Sequence, residues 1–238
     1  MMACAFAWAC AARGATIDTF TGTQSGGPLT ITRDAIGTSS AAETFVLGAI
    51  GLERLTRVTG TLFTDPGIDV VQAAVLPDLG VFDYASSAGG RGRVTLSYPS
   101  MGGALNANFS SDSRLRVRLT HYDFAAGAPM SVRITLEDGN DQPAVSKRLT
   151  SPGPQDVEFI FANFAQTPDL TDIDSVVVEF LPGPATDFRV SSINTVMPEP
   201  AGLTLLMVGT AAGGMHRRKR PRHRTGEANS GHRLAGRR

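Results

Sequence analysis

The sequence predicts an all-β protein, an antiparallel sandwich of two sheets, and three observations carry that expectation. Several short segments alternate strictly between apolar and polar residues, the pattern of strands with one buried and one solvated face. Clusters of Gly, Pro, Asn and Asp punctuate them, as turns require. No amphipathic helix of convincing length falls within residues 16–195. A parallel α/β sheet would instead show continuous apolar runs.

In chain order, residues 1–15 are small and apolar, and Ala12-Arg13-Gly14 offers small residues where a signal peptidase reads. They are expected to be a short secretory signal helix. No Lys or Arg precedes Arg13, which a true start further upstream would explain. The clearest strand is 114–120, with Leu115, Val117 and Leu119 on one face. Residues 131–137 repeat the pattern with Val132, Ile134 and Leu136, and 175–180 with Val176, Val178 and Phe180. Weaker strands are expected at 52–62, 70–76, 93–98, 105–109, 144–149, 157–161 and 188–193. Asp138-Gly139-Asn140-Asp141 reads as a hairpin turn, and Ser151-Pro152-Gly153-Pro154 and Pro182-Gly183-Pro184 as loops that stop strands. About ten short strands without helices suggest a jelly roll.

Composition narrows the function. The formal net charge is zero, but from His216 onward there are nine Lys/Arg and one acid, Glu227. The remaining residues hold 13 basic and 21 acidic side chains, a net of −8. Such an acidic body argues against a nucleic-acid partner, because phosphate contacts need Lys and Arg. Both cysteines, Cys4 and Cys10, lie in the first ten residues. A body without them holds neither a disulfide framework nor a thiolate metal site.

The C-terminal segment has three parts in order. Pro198-Glu199-Pro200 is followed by fifteen uncharged residues, 201–215, and then by His216 and the cluster Arg217, Arg218, Lys219 and Arg220. As a helix the apolar part would reach about 22 Å, short of a hydrocarbon core of roughly 30 Å, and flanking arginines could snorkel to make up the difference. The positive-inside rule puts the cluster in the cytoplasm and the body outside, in agreement with the N-terminal signal. This constellation resembles the PEP-CTERM sorting signal of Gram-negative bacteria. The resemblance implies an exosortase-type membrane enzyme as partner, one transmembrane helix as a transient anchor, and a setting rich in exopolysaccharide. The chain then divides into a signal at 1–15, a β-sandwich at 16–195, the sorting segment at 196–220 and a disordered basic tail at 221–238.

The body is also similar to a recurring kind of PEP-CTERM protein. Such proteins open with Ile-Asp-x-Phe, here Ile17-Asp18-Thr19-Phe20, and carry a Gly-Gly-Glu-Arg motif, here Gly51-Leu52-Glu53-Arg54. Leu52 replaces the second glycine. The resemblance implies a galactose-binding-like jelly roll and transfers no ligand.

Catalytic and metal chemistry find little footing. His121 is the one histidine of the body, so a catalytic triad or a His-based zinc site is nearly excluded beyond what one histidine can do, and His121 is expected on the surface at a strand end. No cofactor is expected. Calcium is the one metal considered: Asp138, Asn140 and Asp141 put oxygen ligands around a turn, although hairpin turns favour the same residues. Ala88-Gly89-Gly90-Arg91-Gly92-Arg93 could cradle an anion or be a Gly-rich hairpin with exposed arginines. Arg114, Arg116 and Arg118 form an arginine ladder, expected to be neutralised by acids on neighbouring strands, yet able to grip an anionic polysaccharide if left free. The leading expectation is a non-catalytic secreted or surface protein associated with exopolysaccharide. The alternatives are a carbohydrate-binding module, which an exposed pair of coplanar aromatics among Tyr84, Tyr98, Tyr122 and the phenylalanines would favour, and a secreted glycan-active enzyme.

Overall fold

The computed structural model describes residues 14–22, 30–33, 37–44, 46–64, 68–100, 103–139 and 141–198. Of the expected signal helix only Gly14 and Ala15 are described, and Ala15 is not helical but bonds to Thr195 of the body; the expected membrane helix and basic tail lie outside these residues. Among the described residues no helix is long and apolar enough to cross a membrane.

The described residues form thirteen strands: β1 (Thr16–Asp18), β2 (Thr30–Arg33), β3 (Gly37–Thr44), β4 (Glu53–Phe63), β5 (Val71–Leu76), β6 (Val81–Ser86), β7 (Gly90–Tyr98), β8 (Arg114–Phe124), β9 (Met130–Glu137), β10 (Ala144–Leu149), β11 (Gln155–Ile160), β12 (Ser175–Leu181) and β13 (Thr186–Val196). All pairings are antiparallel. The first sheet runs β11-β8-β13-β6-β5-β2, with β1 also on β13, and the second runs β10-β9-β12-β7-β4-β3. The chain crosses repeatedly between them. As a result β6-β13-β8-β11 in one sheet corresponds to β7-β12-β9-β10 in the other.

The alternating residues form the core between the sheets. Leu115, Val117 and Leu119 of β8 and Val132, Ile134 and Leu136 of β9 are all at most 1% exposed. An inter-sheet aromatic stack reinforces them: the Phe180 ring of β12 lies 4.9 Å from Phe188 of β13, which lies 4.9 Å from Tyr84 of β6. The strand expected at 114–120 continues to Phe124. Its alternation breaks at Thr120 and His121, both outward, because the register with β13 shifts between Arg189 and Val190. This bulge returns Tyr122 to the interior, where its hydroxyl accepts from the Met130 amide at 2.8 Å and donates to the Leu149 carbonyl at 3.1 Å.

Other expectations are corrected. Residues 105–109 form no strand; the bridge between Ala107 and Ile173 and the bonds from the Leu105 and Phe109 amides to the Asp174 and Leu170 carbonyls tie them down. The segment 88–93 is no hairpin, because its turn carries the chain from β6 in the first sheet to β7 in the second. Strands β1, β2, β3 and β6 were not anticipated.

Candidate functional site

The two short body motifs meet inside the sandwich. Asp18, on β1 of the first sheet, accepts from Arg54 Nη1, on β4 of the second, at 2.7 Å, and both side chains are at most 1% exposed. The other Asp18 oxygen accepts the Phe20 amide at 2.7 Å, and the Arg54 guanidinium stands 5.5 Å from the Phe20 ring centroid. Burial pushes the Asp18 carboxyl above its ordinary value, against the pull of Arg54 and of the Phe20 amide. The turn before Arg54 explains the glycines of the motif. Gly51 has φ +69° and a side chain there would strike the Pro99 carbonyl, whereas Leu52 has φ +60° but points to solvent. The first glycine is sterically required; the second is only conformationally favoured, so leucine is accommodated. The motifs therefore build an internal clasp between sheets and present no surface chemistry.

Of the calcium candidates, Asp138 and Asp141 are described. Asp138 and Asp141 bridge across the β9–β10 turn, and Asn140 lies outside the described residues. An Asp138 carboxylate oxygen accepts the Asp169 amide at 2.5 Å, and Asp174 accepts the Gly139 amide at 2.7 Å. These acids pin two loops together. Among the described residues no group of three or more His, Cys, Asp or Glu is placed to hold a metal ion.

The arginine ladder is neutralised in part: Arg118, opposite Asp156 in register, is exposed and has no ion-pair partner among the described residues. Arg114 and Arg116 both pair with Glu158 on β11, at 3.1 and 2.6 Å, and Arg116 also approaches Asp156 at 3.7 Å. The Arg116 hydrogen bond holds the Glu158 carboxyl below its usual range. The glycine-rich turn does face an anion, but an internal one. A side chain at Gly89 would strike the Asp69 carboxylate, which accepts from Ser87 and the Thr64 amide. His121 is exposed on β8. Tyr84, Tyr98 and Tyr122 are each at most 1% exposed, and no aromatic is among the exposed large hydrophobics of the described residues. No stacking platform for sugars is formed by them.

The larger group of arginines without ion pairs lies on the outer face of the second sheet. Register places Arg148, Ser131, Leu181, Arg93 and Thr59 in one row across β10, β9, β12, β7 and β4. The next row holds Ser146, Arg133, Glu179, Thr95 and Arg57. Arg91 stands beyond the first row. Only Arg93 is ion-paired, to Glu179 at 3.2 Å; Arg57, Arg91, Arg133 and Arg148 have no ion-pair partner among the described residues. Sequence reasoning noticed Arg91 and Arg93 but not the other three. They come from three different strands, and only the register brings them together.

Of the sorting residues, Pro198 is described and exposed, two residues past the end of β13. Glu199, Pro200, Arg217, Arg218, Lys219 and Arg220 lie outside the described residues.

No protein-family model matches the chain, and no curated protein matches it. Among solved structures, the family 11 carbohydrate-binding module of cellulosomal cellulase Lic26A-Cel5E of Clostridium thermocellum is 12% identical, covering 79% of this chain and 96% of that one, with a TM-score of 0.40. TmCBM61 in complex with beta-1,4-galactotriose is 9% identical, covering 79% and 100%, with a TM-score of 0.31. The CBM22-1 xylan-binding domain from Paenibacillus barcinonensis Xyn10C is 12% identical, covering 79% and 100%, with a TM-score of 0.29. Likeness at this level carries no argument about ligand or mechanism.

Proposed function

We propose that this chain is a non-catalytic exported protein, delivered to the cell surface or exterior by its C-terminal sorting signal and associated there with exopolysaccharide. The observation that carries the reading is the order of parts after the sandwich. β13 ends at Val196, Pro198 is exposed, and the Pro-Glu-Pro motif, uncharged segment and arginine cluster follow directly in the sequence. Pro198 and Pro200 lack amide donors and hold their predecessors extended, which suits a segment gripped by a processing enzyme. The correspondence of β6-β13-β8-β11 with β7-β12-β9-β10 supports the jelly-roll reading of the body, and the clasp supports its likeness to sandwiches of the same sorting class.

A non-catalytic role is supported by the same side chains an enzyme would need. The one body histidine is exposed, and the ladder carboxylates are held by arginines. Fractionation of cells with and without the exosortase tests the proposal. The body should leave the membrane only when the enzyme is present, and R217E/R218E/K219E/R220E should mis-sort it. Equal release from both strains would contradict the reading.

A further inference from the structure

We infer that the outer face of the second sheet is a docking surface for an extended polysaccharide that bears carboxylates along its length. Arg57, Arg91, Arg93, Arg133 and Arg148 converge there from four strands, with Glu179 within their two rows and Glu137 at the edge beside Arg133. This is a local excess of positive charge on a body whose net charge is −8. The contrast with the first sheet is informative. There Arg114, Arg116 and Arg189 are each ion-paired to a cross-strand acid, and Arg118, opposite Asp156 in register, is the one arginine of β8 and β13 without an ion pair among the described residues. On the second sheet four exposed guanidiniums are left facing solvent, each with a planar fork suited to a carboxylate.

The surface has the relief a chain-like ligand needs. An open cleft of about 640 Å³ is lined by Arg91, Ser131, Arg148 and Leu181, and an adjoining one of about 380 Å³ by Thr61, Arg91, Arg93 and Leu181. A third, of about 230 Å³, sets Arg133 against Glu137 and Glu179 and marks the acidic edge of the surface. Strands lie about 4.8 Å apart, so the three steps from Arg148 to Arg93 span about 14 Å, across the strands. Ser131, Thr59, Thr61 and Thr95 lie between and beside the arginines and can exchange hydrogen bonds with sugar hydroxyls. Recognition of this kind needs no aromatic platform. The same burial of aromatics disfavours single-stranded nucleic acid, whose bases stack on such side chains. At the other end of the face stand Glu53 and Glu137, with Asp138, Asp141 and Asp174 beyond Glu137. A narrow saccharide chain crossing the arginine rows avoids them, whereas a wider duplex would meet them. The choice of a polysaccharide rests on the proposed export into an exopolysaccharide setting; the charge geometry does not.

The test uses the full chain purified in a non-ionic detergent, with alginate as the carboxylated probe and dextran as the neutral one. At low salt the protein should bind alginate and not dextran. Arg57→Gln/Arg91→Gln/Arg133→Gln/Arg148→Gln should lose about tenfold or more in affinity, while R217Q/R218Q/K219Q/R220Q, which removes as many charges from the tail, should lose less than about threefold. Equal losses, or a larger loss in the tail variant, would overturn the assignment. Tighter binding to a DNA duplex than to alginate, abolished by the same face substitutions, would overturn the occupant. Circular dichroism checks folding; should the fourfold variant fail to fold, R91Q and R148Q singly should each lose about twofold, and no loss in either would reject the surface. Binding is measured on purified protein. Its failure with normal delivery rejects this surface alone, and mis-delivery with intact binding rejects the sorting proposal alone.

Discussion

At the residue scale the Asp18–Arg54 pair is the most consequential contact, because neither charge meets water. Removing one partner of a buried pair leaves the other uncompensated, at a cost of about 3–5 kcal/mol. Arg54→Ala should therefore lower the denaturant midpoint severely, and Asp18→Leu/Arg54→Met should recover much of the loss. A double variant no better than Arg54→Ala would show that the pair is not coupled. Leu52→Gly should raise stability by up to about 1 kcal/mol, since a left-handed backbone is strained for leucine and free for glycine; thermal unfolding measures it. Burial pushes the Tyr84 hydroxyl up to about 12 from an ordinary value of 10.0. The unfolded chain thus releases this proton first. The stability linked to Tyr84 is complete below pH 10 and is lost as the pH rises towards 12. A two-unit difference corresponds to about 2–3 kcal/mol, and Tyr84→Phe should flatten that part of the pH–stability curve. A variant with the same alkaline slope would remove Tyr84 from the account.

At the element scale, β8, β9 and β12 were legible because each alternates apolar and polar residues and buries the apolar set. The turn at Asp138 was legible from its residue types. Strand β3, Gly-Thr-Ser-Ser-Ala-Ala-Glu-Thr, has no apolar alternation and is a strand through its pairing with β4. Strand β4 itself misleads, because Arg54 and Thr56 face inward while Leu55 faces out. The continuation of β8 past Thr120 was hidden by a bulge, which no local pattern announces. The arginine face was illegible for a similar reason: closely spaced arginines drew attention to β8, where acids neutralise Arg114 and Arg116, and the arginines of the second sheet lie far apart in sequence. The core assignment has a direct check. Val117→Asp places an unpaired charge in the fully buried middle of β8 and should prevent folding. A soluble variant with an unchanged melting temperature would contradict that assignment.

At the scale of the whole molecule, body and tail divide the charge between them. Among the described residues the acidic body carries most of its uncompensated arginines on one sheet face, and the basic residues after His216 follow an uncharged segment. That division suits a protein that is held at a membrane by one end and meets its surroundings with the other. The measurement that tests this most directly is mass spectrometry of the protein recovered from outside the cell. The released form should begin within the first twenty residues and end near Pro198-Glu199-Pro200, with residues 201–238 gone. Released protein that still carries Arg238 would contradict the sorting account and leave the sandwich and its clasp as they stand.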